Sequence, residues 1–179
     1  MPDADAERFT RIYRADYERV LGYALRRASA EAAREATDET FLIAWRRLAD
    51  VPEPALPWLL VTARNVLSVQ RRSGLRGDAL LAEVARGTEV LFRRDVSDAV
   101  VERSVVLQAV AALPESDREA LMLTVWDGLG HRDAARVAAC SVGAFAVRLH
   151  RARRRLRTEL IRLDDLGAAA LPSARMEAG

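Results

Sequence analysis

The sequence predicts an all-α protein made of two small helical domains joined by a linker. Three observations support this prediction. Apolar residues recur at steps of three and four, proline and glycine separate the periodic segments, and the two-residue alternation typical of β-strands is scarce. We assign residues 1–74 to the first domain, 75–97 to the linker, 98–163 to the second domain and 164–179 to a disordered tail.

The composition excludes several classes of function. The 179 residues, half of them hydrophobic, suffice for one ordinary domain or two small ones. A single cysteine, Cys140, excludes a disulfide framework, and two histidines, His131 and His150, are a poor supply for a metal or catalytic site. No apolar run approaches the roughly 18 residues of a membrane span, and residues 1–10 do not resemble a signal peptide. We therefore expect a cytoplasmic protein without enzymatic activity, cofactor, metal or small-molecule substrate.

All 28 residues counted as lysine or arginine are arginine. Codon bias in a GC-rich genome is one explanation, and the abundant alanine supports it. The alternative is that arginine was selected for phosphate and guanine recognition. The net charge of +2 does not separate the two explanations, so the distribution of charge has to.

Three helices are predicted in the first domain. The first carries an apolar stripe of Phe9, Ile12, Tyr13, Tyr17, Val20 and Ala24. The second spans Glu31–Leu48, and the proline-rich segment Val51–Pro57 ends it and places Pro57 in the first turn of a third helix, Trp58–Arg72. A polar face of this third helix contains Arg64, Asn65, Ser68, Arg71 and Arg72. Such a face is most commonly a solvated helix back.

Four helices are predicted in the second domain, after a linker with a short helical piece around Asp78–Arg86. The first begins near Asp98 and ends at Pro114, and Ser116–Glu119 has the capping-box pattern of a following helix. Gly128 and Gly130 end that second helix. A short helix over His131–Ala139, a turn over 140–143 and a long helix over Ala144–Leu163 complete the domain.

A short helix, a tight turn and a longer helix form the helix-turn-helix arrangement, in which the second helix enters the DNA major groove. The long helix has an apolar stripe of Phe145, Leu149, Ala152, Leu156, Leu160 and Leu163 that must pack inward. Residues 145–157 contain six arginines and no acids, so the other 166 residues sum to a charge of about −4. This concentration favours nucleic acid as the partner, with a solvated basic face or an acidic protein as the alternatives.

The motifs of both domains resemble those of one family. Leu113–Leu121, Asp127-Gly-Leu129 and Arg148-Leu-His-Arg-Ala-Arg-Arg-Arg-Leu156 resemble the promoter-binding C-terminal domain of extracytoplasmic-function sigma factors. Asp38-Glu-Thr-Phe-Leu-Ile-Ala-Trp-Arg46 is similar to their core-polymerase-binding helix, and Pro57–Asn65 with Arg71 and Arg72 to their upstream-melting helix. The matches occur in family order and together cover about Phe9–Leu163.

The resemblance implies a role for each matching segment. The core-polymerase contacts would be Glu35, Asp38, Glu39, Phe41, Trp45 and Arg46, although Phe41 and Trp45 could equally be core residues. The minus-ten contacts would be Arg64, Asn65, Ser68, Arg71 and Arg72, and the loop Asp50–Pro57 would capture a base flipped from the nontemplate strand. The minus-thirty-five contacts would be Arg132, Ser141, Ala144, Val147, Arg148, Arg151, Arg154 and Arg155.

Two departures from the family pattern bear on specificity. Ala146 and Val147 replace the usual lysine and serine, and Gly130-His-Arg-Asp133 replaces the usual opening of the short helix. The resemblance implies core RNA polymerase, promoter DNA and an anti-sigma factor as partners. A stand-alone helix-turn-helix regulator, or an interaction protein held by a regulator, are the alternative functions.

Overall fold

The computed structural model describes residues 2–72 and 99–169. In these two ranges the secondary structure is helical, as predicted, and includes no β-strand. The predicted linker over 75–97, its helical piece and the last ten residues of the predicted tail lie outside the described residues.

Three helices form the N-terminal bundle: α1 (Pro2–Leu25), α2 (Ala30–Arg46) and α3 (Leu56–Arg72). The Ser29 hydroxyl caps α2 by accepting a hydrogen bond from the Ala32 amide at 3.3 Å. A short 3-10 turn, Leu48–Asp50, and the proline-rich loop lead into α3. The three helices pack pairwise, and alanines on the buried side of α2 allow a close approach of the helices. Pro57 lies in the first turn of α3, as predicted.

Four helices form the C-terminal bundle: α4 (Ala99–Ala111), α5 (Glu115–Val125), α6 (His131–Val137) and α7 (Val142–Ala169). Helix α7 packs against the other three. Phe145, Leu149 and Ala152 are at most 1% exposed, and Leu156 packs against the same core. The predicted apolar stripe of the long helix is thus confirmed over its first part.

Two local predictions are wrong. Pro114, not Ser116, occupies the N-cap position of α5, and no side chain caps it, so the capping-box interpretation fails. The Pro114 carbonyl accepts the amides of Asp117 and Arg118 at 3.0 Å, so the helix starts two residues earlier than predicted. The tail was expected to be disordered from residue 164, but α7 continues to Ala169. Leucine and alanine in this stretch favour a helix strongly enough to include one glycine.

The two bundles pack against each other. Helix α3 contacts α6, and buried residues of both bundles belong to one continuous hydrophobic cluster. Just after the end of α1, Arg26 pairs with Asp127 and Arg27 pairs with Glu119 of α5.

Candidate nucleic-acid interface

The turn between α6 and α7 is fixed by backbone hydrogen bonds. Ala139 has a φ of 51°, in the left-handed region that usually favours glycine. Its amide donates to the Arg136 carbonyl at 3.2 Å, and the Cys140 amide donates to the Ala135 carbonyl at 3.0 Å. This pair of bonds is a Schellman motif, which ends α6 sharply. The geometry agrees with the predicted helix-turn-helix.

The first turn of α7 is capped by Ser141. Its hydroxyl accepts a hydrogen bond from the Ala144 amide at 3.1 Å, and its carbonyl accepts the Phe145 amide at 2.9 Å. Ser141 is exposed but already engaged, so its main role here is to begin the helix.

The outer face of α7 collects most of the predicted minus-thirty-five residues. Exposed on this bundle are Arg132, Ser141, Ala144, Val147, Arg151 and Arg154, while Arg148 is half-buried. Val147 is 58% exposed and adds one apolar side chain to this face. The structure thus gives α7 a buried apolar side and an exposed side that is mainly basic.

Arg155 differs from its neighbours. Its Nη1 lies 2.5 Å from Oδ2 of Asp117, whose side chain is only 2% exposed. Asp117 occupies the first turn of α5, where the helix dipole favours a carboxylate. Arg155 therefore joins α7 to α5, and a phosphate would have to compete with a buried carboxylate for it.

The predicted minus-ten residues share one side of α3. Asn65, Arg71 and Arg72 are exposed, whereas Arg64 and Ser68 are half-buried. Arg72 Nη2 donates to the Ser68 hydroxyl at 3.0 Å, which holds that guanidinium along the helix.

The predicted polymerase-binding residues on α2 separate into two groups. Glu35, Asp38, Glu39, Trp45 and Arg46 are exposed, but Phe41 is only 3% exposed. Its ring centroid lies 4.9 Å from that of Tyr13 on α1 and 5.8 Å from that of Tyr17. Phe41 is therefore a core residue, as its alternative interpretation held, and direct contact of its ring with a partner is excluded in this packing.

Trp45 has a different environment from Phe41. It packs edge-on against Phe9, with 5.2 Å between ring centroids, yet 46% of it is exposed. Tyr13 and Leu42 are also exposed. Trp45 can thus contact a partner without leaving the aromatic cluster.

A cleft of about 320 Å³ lies between α1 and the proline-rich loop. It is lined by Arg8, Arg11, Ile12, Ala15, Asp16, Pro52, Glu53, Pro54 and Ala55. Arg8 donates to the backbone carbonyls of Leu48 and Val51 at 2.6 and 2.5 Å and so holds the loop against α1. Sequence reasoning missed both arginines, because no local pattern shows that α1 faces a loop some forty residues later.

Burial raises the pKa of the Asp16 carboxyl in this cleft, and the nearby Arg19 guanidinium opposes the shift. Elsewhere in the described ranges, no group of three or more histidine, cysteine, aspartate or glutamate side chains is arranged to hold a metal ion. Within the same ranges, none of the helices combines the length and apolar character needed to span a bilayer.

Comparison with known proteins first defines the class. Residues 103–156 match the family model described as Sigma-70, region 4. This match covers the helix-turn-helix and the basic part of α7.

Comparison of longer stretches gives the family. The chain is 30% identical over 149 residues to the ECF RNA polymerase sigma factor SigL of Mycobacterium tuberculosis, an alignment that covers 81% of this chain and 82% of that relative. It is 32% identical over 149 residues to the probable RNA polymerase sigma factor RfaY of Xanthomonas campestris pv. campestris, covering 79% of this chain but 37% of that relative. The chain therefore belongs to the extracytoplasmic-function (ECF) RNA polymerase sigma factor family.

Solved structures share the fold. CnrH in complex with the cytosolic domain of CnrY aligns with a TM-score of 0.55 at 25% identity, covering 85% of this chain and 86% of that one. The sigma factor RpoE in complex with the anti-sigma factor NepR from Bartonella quintana aligns with a TM-score of 0.60 at 23% identity, covering 87% of this chain and 98% of that one.

Proposed function

We propose that this chain binds core RNA polymerase through α2 and directs it to promoters through α3 and α7. Under this proposal the N-terminal bundle recognises and opens the minus-ten element, and the C-terminal bundle binds the minus-thirty-five element. The chain acts in the cytoplasm by binding alone, without an enzymatic reaction.

One observation carries the proposal: α7 separates a buried apolar stripe from an exposed basic side within the segment that matches region 4. Arginine on such a side can bond two phosphate oxygens, or O6 and N7 of guanine. Arg148 and Arg151 are our strongest candidates for DNA contact, together with Arg154. Val147 adds an exposed apolar surface beside them, which suits contact with a thymine methyl group.

In the N-terminal bundle, we assign contacts with polymerase and DNA to side chains that are exposed. On α2, the acidic residues Glu35, Asp38 and Glu39 are exposed, and Trp45 supplies an aromatic surface, the kind of residue enriched at binding hot spots. On α3, Asn65 and Arg71 are free of the core. We propose that the cleft beside Arg8 receives a base flipped from the nontemplate strand, and that Arg11, which also lines the cleft, neutralises its phosphate.

The test is transcription in vitro with purified core RNA polymerase on genomic DNA, with start sites mapped by sequencing. We expect Arg148→Ala and Arg151→Ala to lower transcription at least tenfold while leaving polymerase binding unchanged. Arg162→Ala is the matched control, because Arg162 lies on the same helix but pairs with Glu159 at 2.9 Å. Equal transcription by the wild-type chain and the three variants would refute the assignment of DNA binding to the exposed face of α7.

Two further measurements separate alternative functions. Capture of core polymerase by the wild-type chain supports the sigma role, whereas DNA binding without any polymerase binding indicates a stand-alone regulator. An anti-sigma partner is proposed from family membership, and it would have to cover the α2 and α7 surfaces to block both contacts.

A further inference from the structure

The exposed side of α7 begins with an apolar surface. Residues 142, 143, 144, 146 and 147 are all exposed, and none of them has a side chain that can form a hydrogen bond. Val142 is 47% exposed and Val147 is 58% exposed. We call Val142, Ala144, Ala146 and Val147 the apolar tip of α7. It follows directly on the turn of the helix-turn-helix.

Arginine occurs on α7 only beyond the apolar tip. Arg148 is the first arginine of the helix, and Arg151 lies four residues after Val147, one turn farther along the same side. Arg154 follows about one turn later. The exposed side of α7 therefore changes from apolar to basic along the helix axis, so its two parts can contact different groups of one partner.

Gly143 lies among the residues of the apolar tip, and nothing within the chain requires a glycine there. Among the described glycines only Gly128 has a positive φ, so the backbone at Gly143 is open to other residues. A Cβ added at Gly143 would meet nothing within 4 Å, so packing does not require glycine either. The missing side chain leaves room for another molecule to approach the first turn of α7 closely.

The major groove of DNA offers a partner for both parts of this surface. In a helix-turn-helix, the N-terminal residues of the second helix contact base edges. The apolar group that base edges present in this groove is the C5 methyl group of thymine. The arginines farther along can bind phosphate oxygens or guanine. Six arginines without an acidic residue over 145–157 favour a polyanion over a protein as the partner.

We propose that Val147, with Ala144 and Ala146 beside it, makes recognition of the minus-thirty-five element depend on C5 methyl groups. The inference rests on the proposed sigma function, which puts α7 at this element. The apolar tip binds thymine and accepts 5-methylcytosine, which has the same methyl group. It discriminates against uracil and cytosine, which lack that group.

The expected effect of one methyl group is about fourfold in affinity, because burying a methyl-sized group changes an equilibrium constant by roughly that factor. Uracil pairs with adenine as thymine does, so replacing thymine by uracil removes the methyl group and leaves the hydrogen-bonding groups of the base edge in place. A side chain that recognises thymine by hydrogen bonds alone would not distinguish the two bases.

The first experiment measures the affinity of the full chain, bound to core RNA polymerase, for a promoter fragment recovered by start-site mapping. Deoxyuridine replaces each thymine of the minus-thirty-five segment in turn, on either strand, and the minus-ten segment stays unchanged. We expect a loss of about fourfold at one or more positions, and a loss of less than about twofold at the same positions for Val147→Ala.

Ile161→Ala is the matched control. Ile161 is another exposed apolar residue of α7, 57% exposed, and it lies about 21 Å beyond Val147 along the helix axis. It is therefore too far away to contact the same base pairs, and the variant should keep the wild-type loss. Circular dichroism establishes that both variants fold, as expected because alanine favours a helix at either position.

The second experiment restores the methyl group on a different base. At each position that responds to deoxyuridine, cytosine or 5-methylcytosine, paired with guanine, replaces the thymine and its adenine. The wild-type chain should bind the 5-methylcytosine fragment about fourfold more tightly than the cytosine fragment. Val147→Ala should bind the two fragments equally.

The outcomes separate methyl recognition from the sigma function. Equal affinity of the wild-type chain for thymine and uracil fragments, or an undiminished loss in Val147→Ala, would overturn methyl recognition and leave the sigma function intact. Weaker capture of core polymerase by Val147→Ala in the absence of DNA would make the apolar tip a protein contact, which also overturns it. If the chain neither captures core polymerase nor directs it to any fragment, the sigma function fails, and methyl recognition fails with it.

Discussion

Replacing Arg155 tests whether this arginine supports the fold or contacts DNA. The Arg155→Ala change leaves Asp117 buried without its ion-pair partner. Removing one partner of a fully buried pair costs about 3–5 kcal/mol, whereas an exposed pair contributes about 0–1 kcal/mol. Arg155 is 44% exposed and Asp117 is 2% exposed, so the pair lies between these limits.

The expected loss of unfolding free energy is about 2 kcal/mol, because solvent screens the exposed guanidinium and the α5 dipole still stabilises the carboxylate. For a chain of this size that corresponds to a fall in Tm of roughly 4–8 °C. Urea titration and thermal melting followed by circular dichroism measure both quantities. Arg154→Ala is the control: its side chain is exposed, so its stability should stay within about 0.5 kcal/mol of wild type.

A double-mutant cycle isolates the interaction. Asp117→Asn combined with Arg155→Ala should cost less than the sum of the single changes, by about 1 kcal/mol or more. If Arg155→Ala is as stable as wild type and loses transcription to the same extent as Arg154→Ala, then Arg155 binds DNA and our reasoning about the buried carboxylate is wrong.

Three further predictions concern separate parts of the chain. Ala139→Gly should stabilise the folded chain by about 0.5–1 kcal/mol in urea titration. The reason is that relief of the left-handed backbone strain at residue 139 exceeds the extra conformational entropy of glycine in the unfolded chain. A loss of stability would contradict this. Arg8→Ala should reduce opening of promoter DNA, followed by permanganate reactivity, several-fold more than Arg14→Ala on the same helix, because only Arg8 holds the proline-rich loop. Asp16→Asn should raise Tm at pH 7 but not near pH 3. Because burial raises the pKa of the folded carboxyl, its stabilising contribution is present at low pH and is lost as pH rises through that pKa. The substitution therefore removes a buried charge only at the higher pH. Equal effects at both pH values would exclude the carboxyl's ionisation as the cause.

Local periodicity was sufficient to predict the helices and their apolar faces. The Phe145, Leu149 and Ala152 stripe lies where a spacing of three and four places it. Phe41 and Trp45, four residues apart on α2, could not be distinguished in this way. The aromatic side chains of α1 decide which of the two is covered, and that packing depends on how α1 crosses α2.

Local periodicity does not predict ion pairs between residues that are far apart in the sequence. Arg155 belongs to a run of arginines, and nothing near it in sequence indicates that Asp117, 38 residues earlier, is its partner. The ion pair between Arg26 and Asp127 joins two predicted domains, and no local pattern in the sequence indicates a connection between them other than the linker. Charge counting finds where arginines are concentrated, but burial and partner geometry decide which of them remain available to a ligand.

The arginine-only composition acquires a third interpretation from these contacts, beside codon bias and nucleic-acid recognition. Arg8 uses two nitrogens of one guanidinium on two backbone carbonyls, and Arg26 stays buried opposite Asp127. A lysine ammonium is a compact, strongly hydrated charge, so it would bridge the two carbonyls less well and lose its charge more readily when buried. Codon bias still explains why lysine is absent throughout. At these two positions, however, the planar guanidinium fits the contacts better than an ammonium, so we expect Arg8→Lys and Arg26→Lys to lower the midpoint of urea unfolding although both keep the charge.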